Sequence, residues 1–255
     1  MKISVLASGS KGNTSYLESG NNKLLIDCGM PLPYISSKLE ELNVELQDIT
    51  GIFLTHIHDD HILGLKPLLS KHPVTVYLSQ IMYDELKLKI GLPNYVILDT
   101  FLKLDNLEVN ILKMSHDSGD VNAFIFKEKE VEAVYITDTG YINARYHRQL
   151  QNKDIYIMES NHDINMLMNG SYPHHLKRRI TSDKGHLSNI DSAIALSKFI
   201  GNKTKKIILI HLSENNNTKE IAKETLEKML SDNNLNFKDI VISTQNEKTE
   251  LIVVD

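Results

Sequence analysis

Seven residues, Thr55-His56-Ile57-His58-Asp59-Asp60-His61, constrain this chain more than any other stretch. They place three histidines and two aspartates directly after an apolar run, Gly51-Ile52-Phe53-Leu54. That run has the length and the β-branched and aromatic content of a buried strand. Beyond it, Ile62-Leu63-Gly64-Leu65-Lys66-Pro67-Leu68-Leu69 spaces its apolar residues for a helix, with Asp60 as the expected N-cap. Imidazole nitrogen and carboxylate oxygen are the donors that divalent zinc, manganese or iron take. His56 and His58, two apart on an extended segment, point the same way. Asp60 and His61 lie beyond a turn and can aim at a second point.

The rest of the composition narrows the setting. At 255 residues, 41% of them hydrophobic, the chain can bury a full core. No linker or low-complexity segment divides it, so residues 1–255 are expected to form a single domain. The lone cysteine, Cys28, excludes an internal disulfide framework and fits a reducing cytoplasm. The N-terminal stretch turns polar at Ser8, too early for a signal peptide, and no run approaches the roughly 18 apolar residues of a membrane span. With Lys+Arg 28 against Asp+Glu 33, the net charge of −5 does not advertise nucleic-acid binding, which would have to be local.

Taken in order, Lys2 to Ala7 reads as a strand, and Tyr16 to Glu18 pairs with Lys23 to Ile26 in a hairpin. Between them, Ser10, Lys11 and Asn13 in a glycine-containing loop could donate to a phosphate, or could make an ordinary turn. Ile35, Leu39 and Leu42 mark a helix. Val74 to Leu78 reads as a strand, and Gln80 to Ile90 as a helix closed by Gly91. Short strands follow at 107–112 and 123–126, with His116 between them at a strand end. There it is placed to complete a site with His56 and His58. Ala133 to Thr137 is a strand ending in Asp138, whose carboxylate can bridge two cations; an Asx turn is the alternative. Ile155 to Met158 ends in Glu159-Ser160-Asn161-His162. The stretch Lys177-Arg178-Arg179, then Lys184-Gly185-His186-Leu187-Ser188, reads as a basic loop before a helix capped by Ser188 or Asn189. Lys205 to Ile210 is a strand ending in His211, and Thr218 to Leu230 a helix. Val241 to Thr244 and Leu251 to Val254 close the chain as strands. Alternation of strands and helices in both halves predicts an α/β fold, an αββα sandwich of two mixed sheets with helices outside.

The His-x-His-x-Asp-His segment, Thr-Asp-Thr-Gly at 137–140, Gly-His-Leu-Ser at 185–188 and Leu-Ser-Glu-Asn-Asn-Asn at 212–217 resemble metallo-β-lactamase-fold hydrolases. The similarity is greatest to the YycJ/WalJ (VicX) group of bacterial exonucleases and covers essentially the whole chain. It implies two divalent ions per chain, zinc or manganese or else iron. His56, His58 and His116 would hold one, Asp60, His61 and His211 the other, and Asp138 would bridge. The ions would share a hydroxide as nucleophile, with Asp60 counted among the catalytic groups. Asp27 would orient the histidine segment without binding metal, and Ser10, Lys11 and Asn13 would lie near the active site. The resemblance also implies 5′-to-3′ hydrolysis of DNA ends, a role in mismatch repair, no membrane partner, and a homodimer as one compatible assembly.

The metal ligands alone do not choose among phosphodiester, thioester, lactone and β-lactam substrates. Phosphodiester is favoured by His61, by the cluster Lys177, Arg178, Arg179 and Lys184, and by the late histidines. His186 is the first candidate to protonate a leaving oxygen and His162 the second. A thioesterase or lactonase would need an apolar acyl pocket. A regulatory metal-binding partner of a cell-wall two-component system would have no chemical need for all seven ligands.

Overall fold

The computed structural model describes residues 1–254. Strands β1 (Lys2–Ala7), β2 (Thr14–Ser19), β3 (Asn22–Ile26), β4 (Gly51–Phe53), β5 (Thr75–Leu78) and β6 (Asn94–Ile97) build one sheet. A second holds β7 (Phe101–Leu104), β8 (Leu107–Lys113), β9 (Asn122–Glu128), β10 (Val131–Ile136), β11 (Ile155–Glu159), β12 (Lys206–Ile210) and β13 (Ile240–Ile242). The short β14 (Ile252–Val253) returns to the first sheet beside β1. The strand orders are β14-β1-β2-β3-β4-β5-β6 and β7-β8-β9-β10-β11-β12-β13. In each sheet the first four strands pair antiparallel. The fourth, β3 or β10, then starts a parallel set that runs to the edge.

Alternation along the strands explains the layers. In β12, Ile208 and Ile210 point into the core between the sheets, while Ile207 and Leu209 point out under helices. In β3, Leu24 and Ile26 point in and Leu25 points out. Such strands are apolar on both faces because both faces are covered. Helices α1 (Leu32–Glu40), α2 (Asp59–Ile62), α3 (Leu65–Lys71) and α4 (Gln80–Leu86) follow strands of the first sheet. Ile35, Leu39, Leu65, Leu68 and Met82 seal its outer face. Then come α5 (His147–Leu150), α6 (Ile164–Asn169), α7 (His174–Ile180), α8 (Asn189–Phe199) and α9 (Lys219–Asp232). Leu150, Leu196, Phe199, Leu226 and Leu230 cover the second sheet. The architecture is the expected αββα sandwich. No helix among the described residues is long and apolar enough to cross a membrane.

Several local expectations change. The helix expected after His61 is two, α2 and α3, broken at Leu63-Gly64. Asp60 lies inside α2, and His58 takes the cap position without a side-chain bond. The helix expected to reach Ile90 ends at Leu86. The edge strands β6 and β7 were not foreseen, since half-exposed strands carry little apolar patterning. The supposed basic loop at 177–179 is the last turn of α7.

Three segments meet at Gly29. Its N–H donates to Asn13 O (2.9 Å), Asn13 N–H to Asp60 O (2.8 Å), and Cys28 N–H to His61 O (2.8 Å). A Cβ on Gly29 would stand 1.7 Å from Asp60 O and 2.6 Å from Asn13 N. Gly29→Ala should therefore displace the histidine segment and lower stability by about 3 kcal/mol, the upper range for forcing atoms into packed space. Urea unfolding of the variant and the parent measures it; an unchanged midpoint would show that the junction yields.

Candidate metal centre

The strand ends build the site. Residues 56–61 follow β4, His116 follows β8, Asp138 follows β10, Glu159 ends β11, and His211 follows β12. Three of the turns are left-handed without glycine: Asp27 (φ 59°), Asp138 (φ 50°) and His211 (φ 58°). Aspartate and histidine tolerate this region better than most residues, and strained backbone of this kind gathers at functional sites.

Three ligand atoms, one each from His56, His58 and His116, lie within 4.8 Å of one another. His56 Nε2 and His58 Nδ1 stand 3.1 Å apart. His116 Nδ1 is engaged by Gly185 O at 2.9 Å, which turns Nε2 toward the other two. Gly185 can bring its carbonyl there because it passes beneath α7, where a Cβ would meet Ile180 O at 2.0 Å. Asp60, His61 and His211 form a second group within the same 4.8 Å limit. His61 Nδ1 is bound to Asp27 Oδ2 at 2.7 Å, leaving Nε2 for the cluster. Asp138 stands between the groups, with Oδ1 3.8 Å from His116 Nε2 and Oδ2 3.3 Å from His61 Nε2.

The donor set fits divalent cations. The side chains of His56, His61, His116, Asp138 and His211 are buried, and their ligand atoms converge in groups within 4.8 Å. His211 Nε2 is buried with no hydrogen-bond partner, while its Nδ1 is held by Glu159 Oε1 at 2.9 Å. An orphaned imidazole nitrogen facing carboxylates is costly unless a cation satisfies it. Electrostatics agree. Burial alone would push His211 down, but Asp138, Asp60 and Glu159 push it up to about 10. Burial would likewise raise Asp138, and the charges of His211 and His61 instead hold it well below the carboxylate range. The centre thus draws positive charge to itself.

Asp27 is fully buried, and its carboxylate accepts Thr55 N–H (2.8 Å), Thr55 Oγ1–H (2.7 Å) and His61 Nδ1–H. It supports the segment from behind. Asn13, expected near phosphate, is also support: its Oδ1 accepts Gly9 N–H (2.9 Å) and its Nδ2 reaches Asp60 Oδ2 (3.2 Å). Lys11 leans away onto Glu214 (2.6 Å), whereas Ser10 lines the cleft. Lys177 is a correction too. Its buried amine donates to Met168 O and Gly170 O, both at 2.7 Å, and cannot hold a phosphate. Arg178 and Lys184 are exposed and line no part of the cleft; Arg179 does line it. His162 is buried outside the cleft, bridged to Ser188, so it is no longer an acid candidate.

His186 lines the cleft, with Nδ1 2.7 Å from Glu159 Oε1. Glu159 is the residue that sequence reasoning missed. Its Oε1 serves both His186 and His211, and its Oε2 accepts Thr139 N–H (3.0 Å) and Leu187 N–H (3.2 Å). Burial would raise its pKa, but the neighbouring His186 and the hydrogen bonds from His186 and His211 outweigh it and hold the carboxyl at about 2. An acid closing an all-apolar strand, like Asp138 after β10, was the available signal.

A family model, the metallo-beta-lactamase superfamily, matches residues 8–96. The exodeoxyribonuclease WalJ of Streptococcus pneumoniae is 37% identical over 237 residues, covering 90% of this chain and 88% of that protein. The exodeoxyribonuclease YycJ of Bacillus anthracis is 35% identical over 239 residues, covering 91% and 90%. Among solved structures, the metallo-β-lactamase fold protein YhfI from Bacillus subtilis superposes with TM-score 0.72 at 18% identity, covering 97% of this chain and 98% of that one. That last likeness concerns the fold alone. Identity above one third along nine-tenths of both chains concerns the family: this chain belongs to the WalJ/YycJ exodeoxyribonucleases of the metallo-β-lactamase superfamily.

Proposed function

We propose that the protein is a dinuclear-metal phosphodiesterase that removes nucleotides from DNA ends, in the 5′-to-3′ direction. The observation that carries this reading is the pair of ligand groups with the Asp138 carboxylate within 3.8 Å of histidines of both, in a chain whose relatives over nine-tenths of its length bear the name exodeoxyribonuclease. His56, His58 and His116 would hold one divalent ion, zinc or manganese, and Asp60, His61 and His211 the other. Two such ions would supply an activated water at neutral pH and positive charge for the phosphate oxygens. Both halves of the chain contribute ligands, which supports reading 1–255 as one domain. An end-directed DNA hydrolase suits the resection step of mismatch repair, and the lone buried Cys28 suits a reducing cytoplasm.

The residues of the cleft divide the remaining work. Asp27, Gly185 O and Glu159 each take the Nδ1 of a histidine and so leave its Nε2 for the metal-holding groups. Arg179, tied through Nε to the Asp117 carboxylate, is the cationic side chain that lines the cleft and would meet a phosphate there. Leu176 and Ile180 are its aliphatic members, too few for an acyl pocket, which favours phosphodiester over thioester or lactone. His186, oriented by Glu159, would give its proton to the departing oxygen of the nucleotide.

Elemental analysis of metal-replete protein should find two ions per chain. One ion or fewer would remove the dinuclear reading. Asp138→Ala should lose metal from both groups and not merely slow the reaction.

His186 also stands within 4.8 Å of ligand atoms of Asp138, Glu159 and His211, so a role as ligand competes with the role of acid. His186→Ala separates them. As an acid it should retain both ions yet lose about 10²–10⁴-fold in DNA cleavage, the usual size of general acid catalysis. A p-nitrophenyl phosphodiester, whose leaving group needs little protonation, should be affected far less. Loss of an ion would make His186 a ligand.

A further inference from the structure

The segment from α6 through α7 contributes Tyr172, Leu176, Arg179 and Ile180 to the wall of the cleft that holds the ligand groups. It is fastened on both flanks. On one, Arg179 Nε donates to the carboxylate of Asp117, whose Oδ1 is 3.3 Å from His116 Nε2 in the first ligand group. On the other, Asn215 Nδ2 donates to Tyr172 Oη at 3.0 Å, in the loop that follows His211 of the second group. Between these ties, the bonds of Lys177 Nζ to Met168 O and Gly170 O lock α7 against the end of α6. The base of α7 is rooted as well, through His186 N–H to Ile180 O at 2.9 Å. The cleft has a volume of about 210 Å³ and is lined also by Ser10 and Ser213.

We propose that this fastened segment is an end stop, and that it makes an unpaired strand terminus the substrate. A polynucleotide cut at an internal bond must enter and leave the site, with backbone on both sides of the scissile phosphate. Here a strand laid over the ligand groups meets the wall of α7, which lines the same cleft. One terminal nucleotide can lie under the wall; a continuing chain cannot, and neither can a base pair. Leu176 and Ile180 offer the terminal base an apolar surface, and Arg179 faces its phosphate. Specificity then rests on exclusion as well as attraction. The inference assumes the nuclease reading above and adds the element that confines it to ends.

The test compares metal-loaded protein on one single-stranded DNA sequence in linear and in ligated circular form, with bis-p-nitrophenyl phosphate as a substrate too small to feel the wall. The parent should degrade the linear form at least ~100-fold faster than the circle. Lys177→Met loosens α7 without touching a residue of the cleft. It should raise circle cleavage at least ~10-fold while small-diester hydrolysis stays within about twofold. Should that variant lose small-diester hydrolysis, Asn215→Ala, which releases the other tie without altering a residue of the cleft, is read in the same way. A parent that opens circles as fast as it trims linear strands overturns the end stop but leaves the nuclease. Variants that keep the small-diester rate and still spare the circle overturn it as well. Hydrolysis of the small diester with no cleavage of either DNA overturns the nuclease reading and the end stop together.

Discussion

The buried carboxylate of Asp27 is the interaction on which the centre depends. Burial pushes its pKa up, and the His61 imidazole and the Thr55 hydrogen bonds work against that. A carboxylate without solvent is tolerable only with such partners. The bonds that stabilise it also place the site. Thr55 is held at N and Oγ1, so His56 directly after it leaves β4 in a fixed direction. His61 is held at Nδ1, so Nε2 faces Asp60 and Asp138. One residue behind the ligands therefore orients members of both groups.

Asp138 is the counterpart of Asp27 in the other sheet. Each follows the fourth strand in its sheet order, β3 or β10, and each turns left-handed. The first faces inward and supports; the second faces the space between the ligand groups. The same comparison pairs β4 with β11, so the histidine segment corresponds in position to the stretch opened by Glu159. The apolar strands that lead to His56 and to His211 are alike in sequence yet do not correspond in position, because β12 matches β5 and not β4. Apolar runs resemble one another; hydrogen-bonded neighbours distinguish them.

The acidity of the chain is compatible with a polyanionic substrate. Asp60, Asp138 and Glu159 concentrate negative charge at the centre, and histidines and cations would answer it there. Attraction for phosphate can then reside in a small cleft with one arginine, while the chain as a whole carries a net charge of −5. A net negative chain is unfavourable for general binding along a polyanion.

The sequence by itself determined the fold class and the convergent His and Asp residues at 56–61, 116, 138 and 211. Apolar periodicity reports which faces are covered, and ligand chemistry requires rare residue types at strand ends; both are local signals. What only the tertiary structure decided was which polar residues face the centre. Lys177, Arg178 and Arg179 are adjacent in the chain, yet a helix turns them about 100° apart, so one ties α7 to α6, one meets solvent and one lines the cleft. Asn13 and Ser10 are three apart in one loop, and one holds Asp60 while the other lines the cleft. Glu159 and His186 are separated by 27 residues and meet at 2.7 Å because β11 and the turn before α8 end together. Side-chain direction and long-range closure depend on packing that no short stretch encodes.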